Sequence, residues 1–385
     1  MKQTILRVLA LMLAVVLCFG LTACGGDSSD GGTTTTKKKT TTTTSTTTTT
    51  VDNDTAETTT TAKPTTTTTT VHTKNVVGGI GYTTTTTEAP VTTTAPKNPI
   101  RVLSIGHSFS KDAMEAYLWD LFHEAGYDHV VVAYLFYPSC SLIEQWDRIT
   151  GKVNPETGTP YEYQQYRKTD PYTGAWQTMS KPDKYKNLAN YAIKDEKWDI
   201  ITLQPDPDYG TGPEFWPNQP NDYKHVGDIV NWINANKTNS KAKIMYHMTW
   251  SFSTDCRLWC FQPFDYDQVK QYNAFAAATQ KYIFNAHPGK FAAVIPAGTS
   301  IQNARSSKTG DVYNLPGNFD PKADGYHLND RGDYVAALTW FSVISGKSAK
   351  TAWCPDKYKE EFPIFAEAVD NAVKTPYAIT ASSYK

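Results

Sequence analysis

A serine hydroxyl becomes a nucleophile when a neutral histidine takes its proton and a carboxylate holds that histidine in the right tautomer. Two short segments of the 385-residue chain supply such a set. In Ile105-Gly106-His107-Ser108-Phe109-Ser110, Ser108 stands where an apolar run ends and a helical pattern begins. A serine at that turn exposes its hydroxyl, and its N–H, near a helix start, can meet developing negative charge. The plainer reading is a helix-capping serine, a job for which Ser110 competes. In Asp324-Gly325-Tyr326-His327-Leu328, an Asp-x-x-His turn can present both side chains to one pocket. The plainer reading there is a solvated Asp and a helix-terminal His. In Leu203-Gln204-Pro205, the Gln204 amide can donate to an oxyanion, or simply end a strand.

The elements that must position these residues follow from periodicity. Short apolar runs predict strands at Ile100–Ile105, His129–Leu135, Trp198–Leu203, Lys243–His247 and Phe291–Ile295. Helical spacing covers Lys111–Ala125, Asn187–Glu196, Tyr223–Asn236, Asp267–Ala286 and Asp330–Ser345. Strands alternating with helices predict a parallel sheet covered on both faces, with every strand's C-terminal end along one edge. Ser108, Gln204 and the Asp324 turn all fall on that edge. The insertion at about 148–185 is polar and aromatic; Tyr161–Arg167 and Gly174–Met179 can pair as a hairpin expected to overhang the same edge. Trp250, just after the fourth strand, is expected to line the pocket, whereas His247 reads as a core residue ending that strand. Asp206 and Asp208 form an Asp-x-Asp that is expected to shape a loop rather than to bind a metal–nucleotide.

Ahead of this domain, Lys2 and Arg7 precede an apolar run from Val8 to about Leu21, too short to span a membrane but right for a secretory signal. It ends in Leu21-Thr22-Ala23-Cys24-Gly25-Gly26, which resembles the lipobox of bacterial lipoproteins. That resemblance implies removal of residues 1–23, lipidation of Cys24, and a domain tethered to the extracellular face of the cell membrane. Residues 24–98 are dominated by Thr and nearly free of large apolar side chains. Such a segment cannot bury enough apolar surface to offset its ordering entropy and reads as a disordered linker. The formal net charge of −1 and the lack of a basic stripe argue against a nucleic-acid partner. Cys140, Cys256, Cys260 and Cys354 would remain in the mature chain. Export permits disulfides, and the four-residue spacing of Cys256 and Cys260 fits either neighbouring positions on a helix or a loop staple. No further ligands lie near them in sequence to complete a zinc site.

Taken together, Ser104-Ile105-Gly106-His107-Ser108-Phe109-Ser110, Pro138-Ser139-Cys140-Ser141-Leu142, Trp198-Asp199-Ile200-Ile201-Thr202-Leu203-Gln204 and Asp324-Gly325-Tyr326-His327-Leu328 make the domain at 99–385 resemble, over most of residues 99–345, the SGNH (GDSL-like) hydrolases, and more closely their DUF4886 branch. The resemblance implies a flavodoxin-like three-layer α/β/α sandwich with a parallel five-stranded sheet. It makes Ser108 the nucleophile, His327 the base and Asp324 its orienting partner. The Ser108 N–H, the backbone at Ser139 and the Gln204 amide become the oxyanion hole, while His107, Trp250 and Tyr326 are expected to touch substrate. Three positions depart from the family pattern: His107 stands for the usual Asp, Ser139 for the usual Gly, and Gln204 for the usual Asn. The expected activity is ester hydrolysis through an acyl-enzyme, without metal or organic cofactor, on a small acyl group of an acylated carbohydrate. The competing readings are a catalytically weak glycan-binding domain on the same fold and a surface spacer or adhesin.

Overall fold

The computed structural model describes residues 98–152, 161–166, 175–314 and 324–385; the expected leader, Cys24 and the Thr-rich linker lie outside them. The strands are β1 (Pro99–Gly106), β2 (His129–Phe136), β3 (Glu162–Tyr166), β4 (Trp176–Thr178), β5 (Ile200–Leu203), β6 (Lys243–His247) and β7 (Ala293–Ile295). They form one sheet in the order β4-β3-β2-β1-β5-β6-β7. The pairs from β2 through β1, β5 and β6 to β7 are parallel, and β3 and β4 add antiparallel pairing beside β2. Counting only the parallel strands, the order is the 2-1-3-4-5 of a flavodoxin-like sheet, as expected.

Alternation along the strands builds two cores. Val102, Val130 and Val132 join one cluster, while Leu103, Ile105, Val131 and Ala133 join the other. Side chains with a period of two face opposite ways, so a strand apolar at every position must be covered on both sides. One face carries α1 (Ser108–Met114) and α2 (Leu118–Glu124); the other carries α3 (Leu142–Thr150), α4 (Leu188–Asp195) and α5 (Val226–Asn236). Next come α6 (Gln268–Ala278), α7 (Ala297–Arg305), α8 (Asp330–Ser345) and α9 (Phe362–Lys374). Trp340 of α8 and Phe365 and Val369 of α9 complete the first core.

Several expected elements changed on folding. The helix expected over Lys111–Ala125 is two helices, because Tyr117 leaves helical geometry with φ −131° and sets its ring edge-on to Tyr334 at 5.3 Å. The helix expected to Ala286 turns π-helical over Thr279–Asn285. The insertion does form the expected hairpin, with Gln164 opposite Thr178 and Tyr166 opposite Trp176. It does not overhang the strand ends, however: its backbone pairs sideways with β2, widening the sheet to seven strands instead of five. The unpaired edge of β2 offers a row of free amides and carbonyls, and the hairpin occupies them. Among the described residues no helix is long and apolar enough to cross a membrane.

Candidate active site

Ser108 is the first residue of α1, directly after β1. The helix cap is not a serine. His107 Nδ1 accepts from the Phe109 N–H at 3.4 Å, and His107 Nε2 donates to the Pro205 carbonyl at 2.7 Å. A carbonyl only accepts and an amide N–H only donates, so the imidazole is neutral with its proton on Nε2. Burial pushes its pKa down to about 3, against the bond to Pro205. Ser110, the other capping choice, donates to Gln204 Oε1 at 2.7 Å. Ser108 is therefore left half-buried, its hydroxyl without a hydrogen-bond partner among the described residues.

The Asp324 turn forms as the sequence suggests. Gly325 takes φ +87°, a conformation that favours glycine. Asp324 Oδ1 accepts from the N–H groups of Tyr326 at 3.0 Å and His327 at 2.8 Å, and Oδ2 meets His327 Nδ1 at 2.7 Å. Burial alone would raise the Asp324 carboxyl, but His327 overcomes it and holds the group below its ordinary value. Burial alone would lower His327, but the Asp324 hydrogen bond and the charges of Asp112 and Asp324 lift it above its ordinary value. With Nδ1 committed to Asp324, His327 Nε2 is buried and has no partner among the described residues. The turn lies beside the residue after the serine: the His327 ring meets the Phe109 ring at 5.5 Å, and the Tyr326 ring meets the Phe109 ring at 6.5 Å. Among the described residues no hydrogen bond joins the Ser108 hydroxyl to His327; catalytic hydrogen bonds often close only when substrate is bound.

The other expected site residues fall differently. Trp250 is fully buried beneath the site, stacked on Phe109 at 4.4 Å, with its indole N–H on the Tyr326 carbonyl at 2.9 Å. It positions the turn from below and cannot touch substrate, and neither can His107, which is buried. Tyr326 is part-exposed and can. Gln204 is fully buried: Oε1 accepts from Ser110, and Nε2 donates to His247 Nδ1 at 2.7 Å. Its amide, just past β5, is thus a strut between α1 and β6, not an open donor. His247 is fully buried against Trp340, with ring centroids 4.9 Å apart, in agreement with a core role.

Ser139 is exposed with φ +44°, so it holds a glycine-like conformation at the position where the family pattern has Gly. Its loop is fixed from α3, where Ser141 and Glu144 form a capping box and Asp222 Oδ1 accepts from the Leu142 N–H at 2.7 Å. Asp206 Oδ1 accepts from the Asp208 N–H at 2.7 Å, the loop-shaping role expected of that pair. Cys256 and Cys260 are separate thiols, as are Cys140 and Cys354. The Cys260 thiol hydrogen-bonds to Asp208, and no staple joins it to Cys256. Among the described residues no group of three or more His, Cys, Asp or Glu is placed to hold a metal. Sequence reasoning passed over Asp112, whose signal was its place one helical turn after Ser108.

A flavodoxin-like sandwich with a serine and an Asp–His pair at the C-terminal edge of its sheet defines the class of protein. The chain belongs to the DUF4886 family, a domain of unknown function, which it matches over residues 101–370. The crystal structure of a DUF4886 family protein from Bacteroides uniformis ATCC 8492 is similar at 28% identity and TM-score 0.61, over 74% of this chain and 98% of that one. The lipase/acylhydrolase from Enterococcus faecalis matches at 12% identity and TM-score 0.37, over 64% of this chain and 96% of that one. An acetyl xylan esterase matches at 12% identity and TM-score 0.35, over 64% of this chain and all of that one. Those two likenesses are too loose to carry chemistry across. No curated protein matches the sequence.

Proposed function

We propose that the protein is a serine esterase, held by a lipid on Cys24 at the extracellular face of a bacterial cell membrane. The observation that carries the reading is the Asp324–His327 pair at 2.7 Å, which leaves Nε2 unpartnered beside the Ser108 helix. Asp324 accepts the Nδ1–H and keeps the Nε2 lone pair free. Ser108 Oγ attacks the ester carbonyl as its proton passes to Nε2, and Asp324 stabilises the imidazolium. The N–H groups of Ser108 and Ser139 receive the oxyanion. Collapse of the tetrahedral intermediate breaks the bond to the alcohol, which leaves with the proton from Nε2. Water, deprotonated by His327, then releases the acid and restores Ser108.

The substrate class in this reading is a small acyl group on a carbohydrate. Trp259 supports it: the ring is 48% exposed, 5.3 Å from Trp216 and 6.0 Å from Tyr209. It stands on the segment after β6 that also carries Ser253, whose N–H donates to the Gly325 carbonyl at 2.8 Å. A flat aromatic face on the segment that bonds to the Asp–His turn suits the apolar face of a sugar ring.

The test is hydrolysis of 4-nitrophenyl acetate by the purified protein beside its Ser108→Ala variant. Turnover lost in the variant supports the esterase. Equal background rates in both would favour a glycan-binding domain on the same fold, a reading to which the committed Gln204 amide lends weight. Cys24→Ser should move the protein from the membrane fraction to the medium; retention would sink the anchor.

A further inference from the structure

Asp112 follows Ser108 by four residues in α1, so the two lie on one helix face. Its Oδ2 accepts from the Leu328 N–H at 3.1 Å. Leu328 directly follows His327, so this bond ties the Asp–His turn to the helix that begins with the serine. The two segments are 216 residues apart in sequence, and the short bond from the Tyr117 hydroxyl to Asp330 makes a second tie farther from the serine. The Asp112 carboxylate also faces His327. Burial pushes it up to about 7, against His327 and the Leu328 N–H, which pull it down, and with Asp324 and Glu115, which raise it further, so the group is charged above that pH. From the imidazole's side, Asp112 and Asp324 favour the charged ring and Lys111 opposes it. His107, the other titratable neighbour, is neutral by its hydrogen bonds.

We propose that Asp112 is a positioning residue for His327: it anchors the 324–328 turn on the serine's helix and sets a second carboxylate against the imidazolium. The catalytic part of this inference rests on His327 acting as the base. An Asp–His pair on a loop can swing as a unit, because the bond between its members says nothing about distance to the serine. Asp112 removes that freedom by fastening the residue next to the base to the element that carries the nucleophile. Its charge acts at the step where the base becomes positive, adding to Asp324 on a ring that Lys111 would otherwise discourage from protonating.

Two substitutions separate the roles. Asp112→Asn keeps an oxygen that can accept from the Leu328 N–H but removes the charge; Asp112→Ala removes both. In an NMR titration of the histidine rings, with the His327 signal assigned by its loss in His327→Gln, Asp112→Asn should lower the His327 pKa by about one unit. Its rate on 4-nitrophenyl acetate should fall several-fold, with the rising limb of the pH profile moved to lower pH. Asp112→Ala should fall about tenfold or more in kcat, with thermal melting reporting the folded fraction. A His327 titration unchanged in Asp112→Asn would overturn the proposal, whatever the activity. Equal activity of Ser108→Ala and wild type would instead sink the esterase reading, and the titration would still decide whether Asp112 acts on His327.

Discussion

His107 Nε2 donates to the Pro205 carbonyl across 2.7 Å, joining the C-terminal ends of β1 and β5 one residue before the candidate nucleophile. The other ring nitrogen caps the helix of Ser108. One neutral imidazole thus sets both the strand spacing and the helix start, and its protonation would break the cap. Replacing His107 by Ala should destabilise the fold by about 1–3 kcal/mol, because two buried backbone groups lose partners. The folded state resists protonating this ring down to about pH 3, whereas the unfolded chain takes up the proton at the ordinary histidine pKa. Its contribution is therefore full above that ordinary value and is lost as pH falls toward 3. The slope of stability against pH in that window should be shallower in His107→Ala than in wild type, as read by chemical denaturation at several pH values.

Gly106 has no room for a side chain. A Cβ there would lie 2.3 Å from Ser110 Oγ and 3.2 Å from Gln204 Oε1. Gly106→Ala should break the Ser110–Gln204 bond and cost about 1–3 kcal/mol. Ser110→Ala in the same chain should recover part of that loss, since it removes the closer atom. Equal stabilities of wild type and Gly106→Ala would contradict the contact.

Ser139 holds φ +44° without being glycine, a conformation that costs an ordinary residue about 1 kcal/mol or more. Ser139→Gly should therefore raise the melting temperature slightly, with the gain reduced by the extra freedom of glycine in the unfolded chain. Esterase turnover should persist, because the proposed donor is the backbone N–H. A large fall in kcat would assign a role to the Ser139 hydroxyl instead.

A base must be neutral to take a proton, and Asp324 and Asp112 lift His327 above its ordinary pKa. The rate constant kcat/KM should accordingly rise with pH through a midpoint above that of an ordinary histidine. In Asp324→Asn the midpoint should move down and the maximal rate should fall by about two orders of magnitude or more. A pH-independent rate across the histidine range would remove His327 from the mechanism.

Trp259→Ala tests the carbohydrate subsite. It should raise KM for an acetylated oligosaccharide by about fivefold or more, in line with the worth of a buried ring contact. Turnover of 4-nitrophenyl acetate, which has no sugar, should stay the same. Equal effects on both substrates would point to a structural role in the Tyr209–Trp216–Trp259 cluster.

The sequence by itself determined the alternation of strands and helices, and with it the parallel centre of the sheet, its C-terminal edge and the Asp-Gly-Tyr-His turn. These are local or periodic properties: apolar runs of period two make strands, and a glycine three residues before Leu328 permits the turn. Tertiary structure alone decided which polar side chains are open and which are struts. Gln204, His107 and Trp250 sit at sequence positions that suggest contact with substrate, yet each is buried with a polar atom engaged by a residue distant in the chain. The bond between Asp112 and Leu328 likewise joins segments that no local pattern relates. Burial and long-range hydrogen bonding depend on how layers stack, and only the packed fold specifies that.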